Sequence, residues 1–148
     1  MTIEEARRWF AEEIRAVAHL ESEALVEAFA RVPREAFLGA GPWQIARSFE
    51  LAIPYRTTVD ADPRHIYHNV LIAIDPARQL HNGMPSALAQ WIEAAGIRAG
   101  DRVLHIGCGL GYYTAILAEL AGPTGSVVGY EVDAALAARA EAALRPWP

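Results

Sequence analysis

Residues 103–115 read Val-Leu-His-Ile-Gly-Cys-Gly-Leu-Gly-Tyr-Tyr-Thr-Ala, and this stretch decides the fold. An apolar strand runs into three glycines at alternate positions, Gly107, Gly109 and Gly111, and then directly into a helix. Glycine tolerates positive φ at such a turn and lets the backbone approach a ligand closely. The helix that follows aims its unpaired N–H groups and its positive dipole end above the strand. A second apolar strand then ends in an acid, Glu131. That carboxylate sits beside the glycine loop, where it can accept hydrogen bonds from two ribose hydroxyls.

The spacing says which nucleoside cofactor such a site would take. A dinucleotide fingerprint, Gly-x-Gly-x-x-Gly, uses its third glycine for close helix–strand packing. Counted from Gly107, that third position is Tyr112, far too large for the role. Gly-x-Gly-x-Gly with a downstream acid is similar to the pattern of doubly wound S-adenosylmethionine-dependent methyltransferases, whose cofactor carries no pyrophosphate to grip. The expected fold class is therefore α/β: an N-terminal helical part plus a partial doubly wound, Rossmann-like, methyltransferase fold. A dinucleotide site and a purely structural turn are the other readings of the same loop.

Composition narrows the partners. At 148 residues the chain is single-domain sized and can bury about two-thirds of its unfolded surface. The apolar run from Val70 to Ile74 is far too short to span a bilayer. Glu4, Glu5, Glu12 and Glu13 near the start speak against a signal or transit peptide. A single cysteine leaves no internal disulfide, so a reducing cytoplasm is the expected compartment. The net charge of −5, without a basic run, argues against nucleic-acid binding, which depends on neutralising phosphates. Small molecules and proteins or peptides are the expected partners; the oligomeric state is not legible.

Along the chain, Thr2-Ile3-Glu4-Glu5 is a capping box, and Phe10, Ile14 and Val17 follow at helical spacing, so a first helix is expected over about 3–19. Ser22 caps a second helix that stops near Pro33. Gly39 to Pro63 is irregular, broken by Pro42, Pro54 and Pro63. Val70–Ile74 and about 79–81 read as a hairpin around Asp75-Pro76. Pro85 opens a helix to about Ala95 with Leu88, Trp91 and Ile92 inward and Gly96 as its stop. Strand, helix, strand and helix follow at 102–106, 112–121, 126–130 and about 134–144. Trp9, Trp43 and Trp91 read as core or cover. The expected division is 1–84, a helical and hairpin region, and 85–148, the first part of the cofactor-binding domain.

Several segments together resemble the protein-L-isoaspartate O-methyltransferase family. Val32-Pro33-Arg34-Glu35-Ala36-Phe37-Leu38 looks like its N-terminal signature, Tyr67 with the 70–74 strand like its substrate-side segment, and 103–115 like its cofactor loop. The resemblance implies S-adenosyl-L-methionine as cofactor, held by His105, Gly107, Cys108, Gly109, Gly111 and Glu131. Two departures stand out. The family's Thr-Ile-Ser-x-Pro stretch, with its active-site serine, corresponds to His81-Asn82-Gly83-Met84-Pro85, so Gly83 takes the serine position. The family's usual Glu before the loop is His105. Catalytic residues are thus unassigned, with His81 and Asn82 as candidates for substrate contact; either is equally readable as a turn residue.

The implied reaction, methyl transfer to a protein or peptide carboxylate, is an in-line displacement by an ionised nucleophile. It needs alignment and partial desolvation more than a strong base. Only one parallel neighbour follows the glycine-loop strand, so an apolar edge is left open, and the chain reads as the front part of a longer protein. The rival reading is a truncated, non-catalytic cofactor-binding or protein-interaction module.

Overall fold

Thr2 and Glu5 close the capping box their spacing predicts: the Thr2 hydroxyl accepts from the Glu5 N–H, and the Glu5 carboxylate accepts from the Thr2 N–H. Helix α1, Ile3–Ala18, then buries Ala6, Phe10, Ala11 and Ile14, and it ends where His19 turns left-handed. The computed structural model describes residues 1–47 and 54–147. Residues 48–53, within the irregular stretch, and Pro148 lie outside the described residues. Helix α2, Glu23–Arg31, is capped by Ser22 and packs on α1. A short α3, Glu35–Leu38, follows.

Strands β1 (Gln44–Ala46), β2 (Arg56–Thr57), β3 (Leu71–Asp75) and β4 (Leu80–His81) form one antiparallel sheet in the order β2-β1-β3-β4. The hairpin expected at 70–81 is β3–β4, with the Pro76–Arg78 turn capped by Asp75. It joins this sheet rather than the glycine-loop strand. Helix α4, Pro85–Ala95, starts on its proline and stops at the left-handed Gly96. Then β5 (Arg102–Ile106), α5 (Tyr112–Ala121), β6 (Ser126–Tyr130) and α6 (Ala134–Leu144) complete a β-α-β-α unit. Strands β5 and β6 pair in parallel, Leu104 opposite Val128 and Ile106 opposite Tyr130.

One hydrophobic cluster runs through both ends of the chain, from Phe10, Ile14 and Phe29 to Ile92, Tyr112, Ile116 and Leu136. At its centre lies Arg34, with no solvent exposure. Its Nη1 donates to the carbonyls of Ile66 at 2.6 Å and His68 at 3.0 Å, and its Nη2 to Val70 at 3.1 Å. The guanidinium also lies over the rings of Phe10 and Tyr112, 5.2 and 5.8 Å from their centroids. Tyr67 accepts from the Arg34 backbone N–H and from Arg7, and donates to Glu35. The 32–38 segment is thereby tied to the stretch that enters β3.

Trp9 and Trp91, expected as core or cover, are 69% and 67% exposed; of the three tryptophans so placed, Trp43 alone is buried. Each exposed tryptophan adjoins the residue that does face inward, Phe10 and Ile92. Strand β5 is apolar on both faces in sequence, as a doubly covered parallel strand would be. Only the Val103–His105 face lies under α5; Leu104, Ile106, Val128 and Tyr130 form an exposed apolar face on the other side.

Candidate functional site

The glycine loop is held from two directions. The N–H groups of Gly107 and Cys108 both donate to the Tyr130 carbonyl, at 2.8 and 3.0 Å, locking the loop onto the end of β6. One Glu131 oxygen accepts from the Gly109 N–H at 2.8 Å and the other from the Asp133 N–H at 3.0 Å. These backbone donors, Asp133 first and Gly109 next, hold the Glu131 carboxyl below the usual carboxylate range. Two oxygens offer roughly four lone-pair sites, so acceptor capacity remains beyond the two backbone bonds.

All three loop glycines have positive φ, 73°, 54° and 92°, yet they serve different ends. A Cβ on Gly107 or Gly109 would meet nothing within 4 Å, so both leave bare backbone against open space. Gly111 is buried, and a Cβ there would come within 3.0 Å of Leu144 on α6. Its glycine is a packing requirement. Gly129 on β6 similarly makes room for Cys108, whose Sγ would lie 3.1 Å from a Cβ there. Burial and the neighbouring Glu131 push the Cys108 thiol up, which keeps it protonated and unreactive.

A cleft of about 200 Å³ opens beside the loop, lined by His105, Gly107, Cys108 and Gly109, by His81, Asn82 and Gly83, and by Phe37, Leu38, Tyr112 and Tyr113. A second cavity, about 420 Å³, is lined by Cys108, Gly129, Glu131 and the inner face of α6, so the two adjoin at Cys108. The second falls within the size range of an ordinary small-molecule pocket, about 300–1,000 Å³, and the first falls below it. The sequence-derived residues His81, Asn82, His105, Gly107, Cys108 and Gly109 come together at the first cavity; Glu131 lines the second; Gly111 lines neither.

His105 shares a 2.9 Å hydrogen bond with the buried Thr114 hydroxyl through Nδ1. Burial lowers the pKa of His105 and of His81, so both imidazoles are neutral at pH 7. His81 Nδ1 accepts from the Gly83 N–H at 3.1 Å. Ser86, the nearest hydroxyl after Pro85, is paired with Asn69 and does not line the cleft. Sequence reasoning missed Tyr112 and Tyr113. Two aromatics in the first turn after a glycine loop are the signal that could have found them, since that turn faces whatever the loop approaches. No group of three or more metal-ligating side chains occurs among the described residues.

Strand, glycine loop, helix, strand and terminal acid in this arrangement are the opening unit of a doubly wound methyltransferase fold. Comparison with known proteins agrees. Residues 6–147 match the family model described as "Protein-L-isoaspartate(D-aspartate) O-methyltransferase (PCMT)". The chain belongs to this family. It is similar to a protein-L-isoaspartate O-methyltransferase of Ignicoccus hospitalis, 31% identical over 144 residues, covering 97% of this chain and 57% of that protein. Protein-L-isoaspartate O-methyltransferase 2 of Archaeoglobus fulgidus is also 31% identical, over 146 residues, 98% of this chain and 56% of its own length. The chain thus spans a little over half the length of these relatives. A solved protein-L-isoaspartate O-methyltransferase superposes with a TM-score of 0.66 at 25% identity, over 97% of this chain and 38% of that one. A Plasmodium falciparum structure in complex with S-adenosyl-L-homocysteine superposes at 0.65 over 95% of this chain and 55% of that one; at 14% identity it supports the fold alone.

Proposed function

We propose that the chain forms the cofactor-binding part of an S-adenosylmethionine-dependent O-methyltransferase that transfers a methyl group to a protein or peptide carboxylate. The observation that carries this is the Glu131–Gly109 latch: a carboxylate with acceptor capacity to spare, fixed beside two glycines whose backbone faces open space. Bound there, S-adenosylmethionine would supply an electrophilic methyl group on a sulfonium. Glu131 would accept hydrogen bonds from the ribose hydroxyls. Gly107, Cys108 and Gly109 would approach the cofactor with backbone, Gly111 would hold the turn from beneath, and neutral His105 would face the amino-acid end. His81 and Asn82 would meet the acceptor side.

Apolar cleft walls from Phe37, Leu38, Ile74 and Leu88 strip water from that end, as displacement by a carboxylate requires. No helix among the described residues is long and apolar enough to cross a membrane. The single cysteine fits a reducing compartment such as the cytoplasm.

The test is calorimetric titration of S-adenosylhomocysteine into the 148-residue chain, with NADH as the rival ligand. One-to-one binding of the first and none of the second is expected. Binding of NADH alone, or of neither, refutes the proposal. Cofactor binding with no methylation of any carboxylate peptide would instead support the non-catalytic module.

A further inference from the structure

The turn between β3 and β4 finds its closest ionic partner outside its own hairpin. Asp75 caps the turn by accepting from the Arg78 N–H at 3.3 Å. The Arg78 guanidinium, however, stands 3.9 Å from Asp75 Oδ2, while its Nη1 donates to Asp133 Oδ2 at 2.8 Å. Asp133 belongs to the turn between β6 and α6. Two walls of the first cleft are thereby joined: Ile74 and His81 line it from the hairpin, Gly107 and Gly109 from the glycine loop. Arg78 itself lines neither cavity, so its influence on a ligand must run through Asp133.

Asp133 divides its groups three ways. Its Oδ2 accepts from Arg78, its Oδ1 caps α6 by accepting from the N–H groups of Ala135 and Leu136 at 3.0 and 3.2 Å, and its own N–H donates to Glu131. The other Glu131 oxygen accepts from Gly109. Arg78, Asp133, Glu131 and Gly109 therefore form one hydrogen-bonded line from the hairpin tip to the glycine loop. That line holds two carboxylates only two residues apart, and Asp133 acts on Glu131 as a like charge. Backbone N–H groups orient both carboxylates but bring no net charge. Arg78 supplies it, pairing with Asp133 directly and attracting Glu131 through space.

We infer that Arg78 is a positioning residue: by pairing with Asp133 it keeps the Glu131 carboxylate beside the glycine loop, and so couples the hairpin wall of the cleft to the ribose contact. This rests on the methyltransferase reading above, which places a ribose at Glu131. The pair is partly exposed, Arg78 to 57% and Asp133 to 22%, so salt screens it and its effect is modest.

Arg78→Ala tests this with two probes, S-adenosylhomocysteine and methylthioadenosine, which lacks the amino-acid end but keeps the ribose. At low ionic strength, about 0.05 M NaCl, the affinity for both should fall by the same factor, about two- to fivefold. At about 1 M NaCl, where charges are screened within about 3 Å, wild type and variant should converge. Arg78→Lys keeps the charge and should recover most of the loss. Combined with Asp133→Asn, which still caps α6 but removes the partner charge, Arg78→Ala should cost little further. The inference is overturned if Arg78→Ala binds both nucleosides as the wild type does at low salt. It is overturned equally if the loss persists undiminished at high salt or alongside Asp133→Asn, as a merely structural change would. A wild-type chain that binds neither nucleoside overturns the methyltransferase reading, and this inference with it, which is a separate outcome.

Discussion

Replacing Glu131 by alanine removes both acceptors that organise the loop tip. Hydrogen bonds to a charged group contribute about 1.5–3 kcal/mol each in protected surroundings. Glu131 is only half-buried, so the N–H groups of Gly109 and Asp133 recover part of that from water. The net effect on ligand affinity, including the ribose contacts, should be about 1–3 kcal/mol, or about 5- to 150-fold in Kd. Glu131→Gln keeps one carbonyl oxygen and loses one acceptor, and it should fall between. Calorimetry with S-adenosylhomocysteine and with methylthioadenosine measures this, the fold being checked by circular dichroism. Because the carboxylate is assigned to the ribose, both ligands should weaken by the same factor. Unchanged affinity for both refutes the assignment. Weakening of S-adenosylhomocysteine alone would move Glu131 to the amino-acid end and refute it equally.

Arg34→Met should lower stability by about 2–4 kcal/mol, since one fully buried carbonyl and two half-buried ones lose their donor. In a domain of this size that is about 5–15 °C in Tm; urea unfolding checks it, and a loss below about 1 kcal/mol contradicts the clamp. Arg8→Ala, which gives up an exposed pair with Glu27, should leave the midpoint nearly in place. Acid should weaken the fold through the histidines. His105 and His81 are held neutral in the folded chain but take up protons when unfolded below about 6.5, so stability falls as pH drops from there towards their lowered pKa values. Urea midpoints at about pH 7.5 and about pH 5.5 should differ less in His105→Gln than in the wild type. An equal difference shows that His105 does not titrate as described. Glu131 acts in a lower window, its contribution being lost as pH falls through its depressed pKa.

Helix α4 and the β-α-β-α unit after it were legible because each helix boundary carries its own chemistry: Pro85 and Gly96 bracket α4, Gly111 starts α5, and Asp133 caps α6. The loop's partnership with Glu131 was legible too, since two adjacent parallel strands put their C-terminal ends side by side. Strands β1 and β2 were not. They are three and two residues long, and Arg56 and Thr57 are both exposed, so no alternation marks them; pairing with neighbours distant in sequence creates them. Arg34 looked like any surface arginine before a short helix. Only the fold brings Ile66, His68 and Val70 to it with their carbonyls turned inward.

Leu144 and Ala140 rest on Gly111, the residue from which α5 springs. The turn is consequently braced at its foot by a helix that begins more than twenty residues later. Small changes along α6 should tilt the loop above, so the position of the glycine turn is calibrated by side chains that lie outside the first cleft.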